Sequence, residues 1–357
     1  MDFFYPALVS FLLALVGILL ALKIFPLLGI LDNPQKYNLS RKPIPYSGGI
    51  VILLVFLISV SLFLDIREKH LLSILIGATL ISLVGFIDDL KNISPGIRLF
   101  CQVLAALIII TGGIGITTVS NPLGGVLHLD SWQIKSQIAN YPFSISVIAD
   151  LFTIFWVIFC INAMNFIDGV PGLASGISTI AGTTLLGLYL LRPELFEDPN
   201  QNNFAILCMI FTVIAAAFLI FDFHPPKILM GDSGSTLLGF ILASLSIFSG
   251  AKIATAFLVF GIPIFDAFFV ILRRIKNKKS PLKGDLGHFH HRLLKLGLSE
   301  RQSLVLIYAI TILFGLSACI FSSFGKMMAI LLLFFLLLVL EIFLAYRLPD
   351  EEFEKKL

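Results

Sequence analysis

The sequence predicts an all-α protein that threads a membrane about eleven times, and three observations carry that expectation. Of its 357 residues, 58% are hydrophobic and only 13% are charged, whereas a soluble domain carries roughly 25% charged residues. The apolar residues fall into runs suited to helices of about 20 residues, the length that crosses a bilayer core of about 30 Å. Short breaks of Pro, Gly, Asn and charged residues separate these runs, with no insert large enough for a soluble domain. A soluble enzyme is excluded, and the small net charge of +3 argues against nucleic acid as a partner.

In chain order, the expected helices span 3–31, 47–64, 71–87, 98–113, 147–163, 174–190, 204–221, 236–250, 254–272, 303–321 and 327–346. The first follows the acidic Asp2 and is broken only by Lys23, so it reads as a retained span; a signal peptide begins basic and has a shorter apolar region. The third and fifth stop at GFIDDLKN and NAMNFIDG, and the eighth begins just after KILMGDSGS. The ninth contains Pro263 and Asp266, which mark a break or a groove facing lipid. Two long polar connections remain: 114–146, rich in Gly, Ser, Asn and β-branched residues, and the basic stretch 273–302. Cys101, Cys160, Cys208 and Cys319 lie in separate apolar runs without CxxC spacing and read as packing residues.

Eleven crossings put the termini on opposite faces, and the basic residues say which is which. One set of loops holds 18 Lys and Arg residues, including Arg41, Lys42, Arg98, Lys227, Arg292 and the run from Arg273 to Lys283; the other holds 6. Positive loops stay on the cytoplasmic side, so the N-terminus is expected outside and the C-terminus inside, in a multi-pass protein of the inner (plasma) membrane. No internal repeat is evident, which weakens an inverted-repeat transporter.

The polar motifs sort to the same cytoplasmic face. Asp88 and Asp89 are adjacent carboxylates that repel unless a proton or cation is shared, and a hard cation with oxygen ligands would resolve the conflict; helix capping is the plainer alternative. Asn162, Asn165 and Asp168 recur every three residues near one helical face, fit either for a polar ligand or for hydrogen bonds between helices. Asp232 sits between Gly231 and Gly234, in a loop whose backbone can approach a phosphate. His288, His290 and His291 lie among Lys283, Arg292 and Lys295, a cationic setting that suits an anion better than zinc; part of that charge serves topology and anionic headgroups. Acidic groups able to hold a cation, facing basic groups able to hold phosphates, are the equipment of phosphoryl transfer at a lipid surface. An ion-coupled transporter is the competing reading, but only Asp266 and Glu341 lie well inside the expected helices.

Five segments in order, RKPIPYSGG, GFIDDLKNISPGIRL, NAMNFIDGVPGLASG, FHPPKILMGDSGSTLLG and GHFHHRLLKLGLS, resemble the polyprenyl-phosphate N-acetylhexosamine-1-phosphate transferase family, which includes phospho-N-acetylmuramoyl-pentapeptide transferase. The GHFHHR form is similar to the branch that makes undecaprenyl-diphosphate-linked GlcNAc or a related HexNAc for surface polymers such as O-antigen or teichoic acid. The resemblance implies one transmembrane catalytic domain over 1–346 with a short cytoplasmic tail at 347–357. It implies attack by a polyprenyl phosphate on the β-phosphorus of a UDP-HexNAc, with loss of UMP. It further implies Mg²⁺, with Mn²⁺ as a substitute, and a homodimer by family precedent. Carried over by position, Asp232 is the main metal ligand, Asp88 engages or deprotonates the lipid phosphate, and Asp89 supports metal and phosphates. Asn165 and Asp168 hold the nucleotide side with Asn162 and Lys227 nearby, while His288, His290, His291 and Arg292 hold the diphosphate or sugar. Lys42, or Arg41 in a shifted alignment, meets phosphate.

Two positions depart from the family pattern. DGVPG stands where the family reads DGxDG, so Pro171 replaces an Asp, and Asp222 stands where Asn is frequent. In the muramyl branch both positions lie near the uracil, which makes Asp222 a candidate to supply the lost carboxylate for base recognition.

Overall fold

The computed structural model describes residues 3–37, 41–121, 124–138, 141–193, 201–248, 253–276, 278 and 287–347. Among these the chain forms α1 (Phe4–Leu27), α2 (Gly49–Phe63), α3 (Lys69–Lys91), α4 (Pro95–Thr111), α5 (Val147–Ile167), α6 (Leu173–Leu191), α7 (Gln201–Asp222), α8 (Asp232–Phe248), α9 (Ile253–Val259), α10 (Gly261–Lys276), α11 (Phe289–Lys295), α12 (Glu300–Ile320) and α13 (Ser323–Arg347). Lys252, Lys279, Lys283 and the tail 348–357, all used in the charge count or the domain boundary, lie outside the described residues.

Each of the eleven expected helices is present, and the ninth is corrected from one helix to two. The chain bends at Phe260, between α9 and α10, and Pro263 falls in the first turn of α10. A proline there lacks an N–H that would have had no partner within the helix, so it starts the second piece without cost. The remaining ends follow local chemistry. Ser94 caps α4, accepting from Ile97 N–H with Pro95 at the first helical position. Ser299 and Gln302 form a reciprocal capping box on α12, and α3 ends at Asn92 in the left-handed region with its N–H on Asp88 C=O.

Seven helices are long and apolar enough to cross a membrane: α1, α3, α5, α6, α7, α12 and α13; α2, α4 and α8 are shorter apolar helices. Burial separates the periphery from the centre. In their most apolar stretches α1 and α13 bury only 22% of residues, leaving side chains such as Leu12, Val16, Leu332 and Phe335 on the outside. The short α8 is the opposite, buried at nearly every position from Ser233 to Ser246, as befits a helix that is apolar on all sides. It packs between α3 and α5 through close contacts: Phe240 lies against Gly77, and a Cβ on Gly239 would meet Cys160 C=O at 2.8 Å. Trp156 of α5 donates its indole N–H to Ser246 at 3.2 Å.

The 114–146 connection is not an irregular loop. It folds as two antiparallel hairpins, β1 (Thr118–Ser120) with β2 (Val126–His128), and β3 (Gln133–Ile138) with β4 (Tyr141–Ser146), where β-branched residues are at home.

Candidate active site

Five helix termini meet at one end of the bundle: the starts of α2, α4 and α8 and the ends of α3 and α5. Two of the expected motifs are zipped together by backbone. Leu229 N–H donates to Pro45 C=O at 2.9 Å, and Gly48 and Gly49 N–H donate to Leu229 and Met230 C=O at 2.9 and 3.0 Å. A side chain on Gly49 would run into the Gly234 backbone, so the starts of α2 and α8 touch only because both are glycine. Gly85 serves α3 in the same way, since a Cβ there would meet Asp232 C=O at 2.7 Å.

This packing delivers the carboxylates. Asp88 is buried; its Oδ1 accepts from Ile93 N–H at 2.7 Å and its Oδ2 from Arg98 Nη1 at 2.8 Å. The same Arg98 nitrogen lies 3.6 Å from Asp232 Oδ2, so one guanidinium bridges two carboxylates. Asp232 Oδ1 accepts from Asn165 Nδ2 at 3.0 Å, and that amide also donates to Ser235 Oγ at 3.0 Å. Asn162 forms a two-way amide pair with Gln102, at 2.8 and 3.4 Å. Asp88, Arg98, Gln102, Asn162, Asn165 and Asp232 line one open cleft.

Asp89, expected to support the metal, lies against the start of α8. Its Oδ1 and Oδ2 accept from Asp232 and Ser233 N–H at 2.7 and 3.3 Å. It thereby satisfies the open N-terminus of α8 and sets the position of Asp232.

The imidazoles arrive from the other side of α5. Phe166, next to Asn165, packs against His288 with ring centroids 5.4 Å apart and the ring planes tilted by 32°. A Cβ on Gly169 would meet His290 Nε2 at 2.6 Å and His291 Nε2 at 2.9 Å. The segment 165–169 therefore touches Asp232 through one residue and the histidines through the next few. Asp168 lies just past the end of α5; burial and the negative charges of Asp222, Asp232 and Asp89 push its carboxyl well above the usual carboxylate range. Burial, with His291 and His288 alongside, holds the His290 imidazole well below its usual value. His290 Nε2 is buried with no hydrogen-bond partner among the described residues.

Three of the expected site residues have partners within the protein. Arg41 forms a two-pronged ion pair with Asp32, at 2.6 and 3.2 Å, which also accepts from Ile44 N–H, so it ties the segment before α2 in place; Lys42 beside it is exposed. Arg292 is 1% exposed and its guanidinium pairs with Glu341 of α13, because a buried cation needs an internal counter-charge. Asp222 is likewise buried, and its Oδ2 accepts from Gly172 N–H at 3.0 Å and Ser175 Oγ at 2.7 Å. It caps the start of α6 directly after Pro171, so the two departures from the family pattern are joined through the backbone of one turn. Lys227 is exposed with its Nζ 5.8 Å from the centre of the Phe221 ring.

Arg98, Gln102, Ser235, Asp266 and Glu341 belong to this network and were not among the expected site residues. Arg98 lay inside a quoted motif, GFIDDLKNISPGIRL, and its place in the first turn of α4 was the available signal. Asp266 and Glu341, the carboxylates a transport relay would need in mid-membrane, are each paired with the histidine segment.

A helical membrane protein that gathers carboxylates, amides and imidazoles at one end of its bundle has the form of an integral-membrane transferase. The chain belongs to glycosyl transferase family 4, whose sequence model matches residues 71–250. It is 30% identical to the probable undecaprenyl-phosphate N-acetylglucosaminyl 1-phosphate transferase of Bacillus subtilis, covering 94% of this chain and 90% of that protein. It is 28% identical to the decaprenyl-phosphate N-acetylglucosaminephosphotransferase of Mycolicibacterium smegmatis, covering 84% and 77%. With the undecaprenyl-phosphate alpha-N-acetylglucosaminyl 1-phosphate transferase of Yersinia pestis it shares 29% identity, covering 92% and 88%.

Proposed function

We propose that this protein transfers a HexNAc-1-phosphate, with GlcNAc as the sugar, from a UDP-sugar to a polyprenyl phosphate, releasing UMP and starting a lipid-linked surface glycan. The observation that carries the reading is the convergence on the end of α5: Asn165 on Asp232, Phe166 on His288 and Gly169 on His290 and His291. Acidic and imidazole groups from distant parts of the sequence thereby share one site. A phosphate oxygen of the lipid attacks the β-phosphorus, a new P–O bond forms, and the bond to UMP breaks. In this reading Asp88, with Arg98, orients the lipid phosphate and takes its proton, and the histidines hold the sugar diphosphate.

The donor set fits Mg²⁺. Hard oxygen donors, those of Asp88, Asn165 and Asp232 among them, line the cleft. Among the described residues no three His, Cys, Asp or Glu groups form a ready-made metal cage, which suits an ion that takes one or two carboxylates and completes its shell with phosphate and water. Asp232 is the chief ligand, with Asp89 holding it in place. When bound, Mg²⁺ neutralises charge on the diphosphate. The 18 to 6 division of basic residues supports eleven crossings with the N-terminus outside and the site facing the cytoplasm, in an inner membrane and as a homodimer by family precedent.

The test uses purified protein in detergent. UMP release from UDP-GlcNAc should require both polyprenyl phosphate and Mg²⁺, mass spectrometry should find the sugar on a lipid diphosphate, and Asp232→Ala should abolish turnover in a folded protein. Release of UMP without lipid in a lipid-stripped preparation would overturn the reading.

A further inference from the structure

Asp266 sits in α10, away from every motif that carries the family resemblance, yet it is 4% exposed and committed to two neighbouring positions of the histidine segment. Its Oδ2 lies 2.9 Å from His288 Nδ1, and its Oδ1 accepts from Phe289 N–H at 2.8 Å. One carboxylate thus fixes both the backbone at the start of α11 and the ring immediately before it. The ring's other neighbours complete the vise: Phe166 at 5.4 Å, and His290 in a nearly parallel stack with centroids 5.9 Å apart. A carboxylate only accepts, so this bond puts the imidazole hydrogen on Nδ1 and leaves Nε2 of the neutral ring as the acceptor. Imidazole rings held by a carboxylate in this way are fixed in tautomer as well as in orientation.

We propose that Asp266 is a positioning residue for the transfer reaction: it locks the His288 ring in the Nδ1–H tautomer, so that Nε2 is the nitrogen offered, as an acceptor, to an O–H or N–H of the sugar that carries the diphosphate. The inference rests on the sugar-phosphate transfer proposed above. Asp266 itself touches no substrate and acts through His288 alone.

Asp266→Asn separates this role from a structural one. The amide oxygen still accepts from Phe289 N–H, keeping the segment tethered, while the amide NH₂ faces Nδ1 and forces the hydrogen onto Nε2. In the variant, kcat should fall on the order of 100-fold, as expected when the hydrogen bond that orients the reacting group is lost, with the KM for UDP-GlcNAc and the melting temperature near those of wild type. Nitrogen NMR of histidine-labelled protein, with the His288 signal assigned by its loss in His288→Ala, should show Nδ1–H in wild type and Nε2–H in the variant. An unchanged kcat, or an unchanged tautomer, overturns the proposal. If Asp266→Asn does not fold, Asp266→Glu takes its place, since it keeps the accepting carboxylate: retained Nδ1–H with substantial kcat supports the role, and full kcat with the hydrogen moved to Nε2 sinks it. A wild-type protein that shows Nδ1–H at His288 but never transfers sugar phosphate to lipid would overturn the functional reading while leaving the Asp266 to His288 bond standing.

Discussion

Arg98 stands between two carboxylates that belong to different helices, and single residues of this kind decide the site. Asp88, Asp232 and Asn165 were legible in the sequence because carboxylates and amides at helix ends are costly near a membrane unless something uses them. Their pairing was not legible, since Arg98, Gln102 and Ser235 differ from other surface or packing residues only by where the fold puts them. Gly231 is a case in which geometry adds a test. Its φ is +73°, and a Cβ there would lie 2.5 Å from Asp89 Oδ2, so Gly231→Ala incurs a left-handed penalty of about 1–2 kcal/mol and also displaces the carboxylate that holds Asp232. Melting temperature should drop by several degrees and transfer activity more than about tenfold, the larger effect being on activity; wild-type turnover in the variant would refute this coupling. His290 gives a second test through pH. Its imidazole is held below the value near 6.5 that it has in the unfolded chain, so the unfolded state binds the extra proton first. Its contribution to stability is therefore present above pH of about 6.5 and is lost as the pH falls. Melting curves should decline less steeply between about pH 7.5 and 5.5 in His290→Gln than in wild type, and parallel declines would show that His290 is not buried in its neutral form.

The end of α5 and the turn after it form the element on which both halves of the site depend. Asn162 and Asn165 lie within α5 and reach α4 and α8, Asp168 falls just past the helix end, and the histidine contacts use Phe166 and Gly169, which the three-residue rhythm passes over. A short chain of hydrogen bonds fixes the turn that leads into α6. Asp222 accepts from Gly172 N–H and Ser175 Oγ, and Tyr308 of α12 donates its hydroxyl to Gly172 C=O, so α6, α7 and α12 all hold the turn that contains Pro171. An Asn at position 222 has an oxygen in the same place, able to accept both bonds. Asp222→Asn should therefore retain near-wild-type stability and an unchanged preference among UDP-, TDP- and GDP-HexNAc. Asp222→Ala should cost about 1–3 kcal/mol, because it leaves a buried N–H and hydroxyl without their acceptor. A switch of nucleotide preference in Asp222→Asn would restore the base-recognition role that the sequence suggested. Helix positions were readable throughout because apolar runs of sufficient length are rarely anything else. The break at Phe260 was harder to place, as Pro263 marks the start of the second piece rather than the bend, and the two hairpins gave only a compositional sign because their strands are short.

At the scale of the molecule, the architecture sets a short, largely buried helix at the centre and the long apolar α1 and α13 at the rim, so that a polar cleft can sit where α8 begins while lipid covers the outside. A central helix of 17 residues, about 26 Å at 1.5 Å per residue, falls short of a hydrocarbon core of about 30 Å. Its N-terminal Asp232 can thus lie slightly within the membrane boundary, where a lipid-borne phosphate and a water-borne nucleotide can both arrive. This arrangement works only if Asp232, Lys42 and Lys91 share a face and Arg67, between α2 and α3, lies on the opposite one, as alternation of the helices requires. Single cysteines placed at the exposed positions 42, 91 and 67, in a background with Cys101, Cys160, Cys208 and Cys319 replaced, test this directly. In intact cells a membrane-impermeant maleimide should label the cysteine at 67 and spare those at 42 and 91, and inverted vesicles should give the reverse. Because the side that a UDP-sugar can reach is the side on which such nucleotides are made, labelling of 42 and 91 from outside would contradict both the orientation and the proposed donor together.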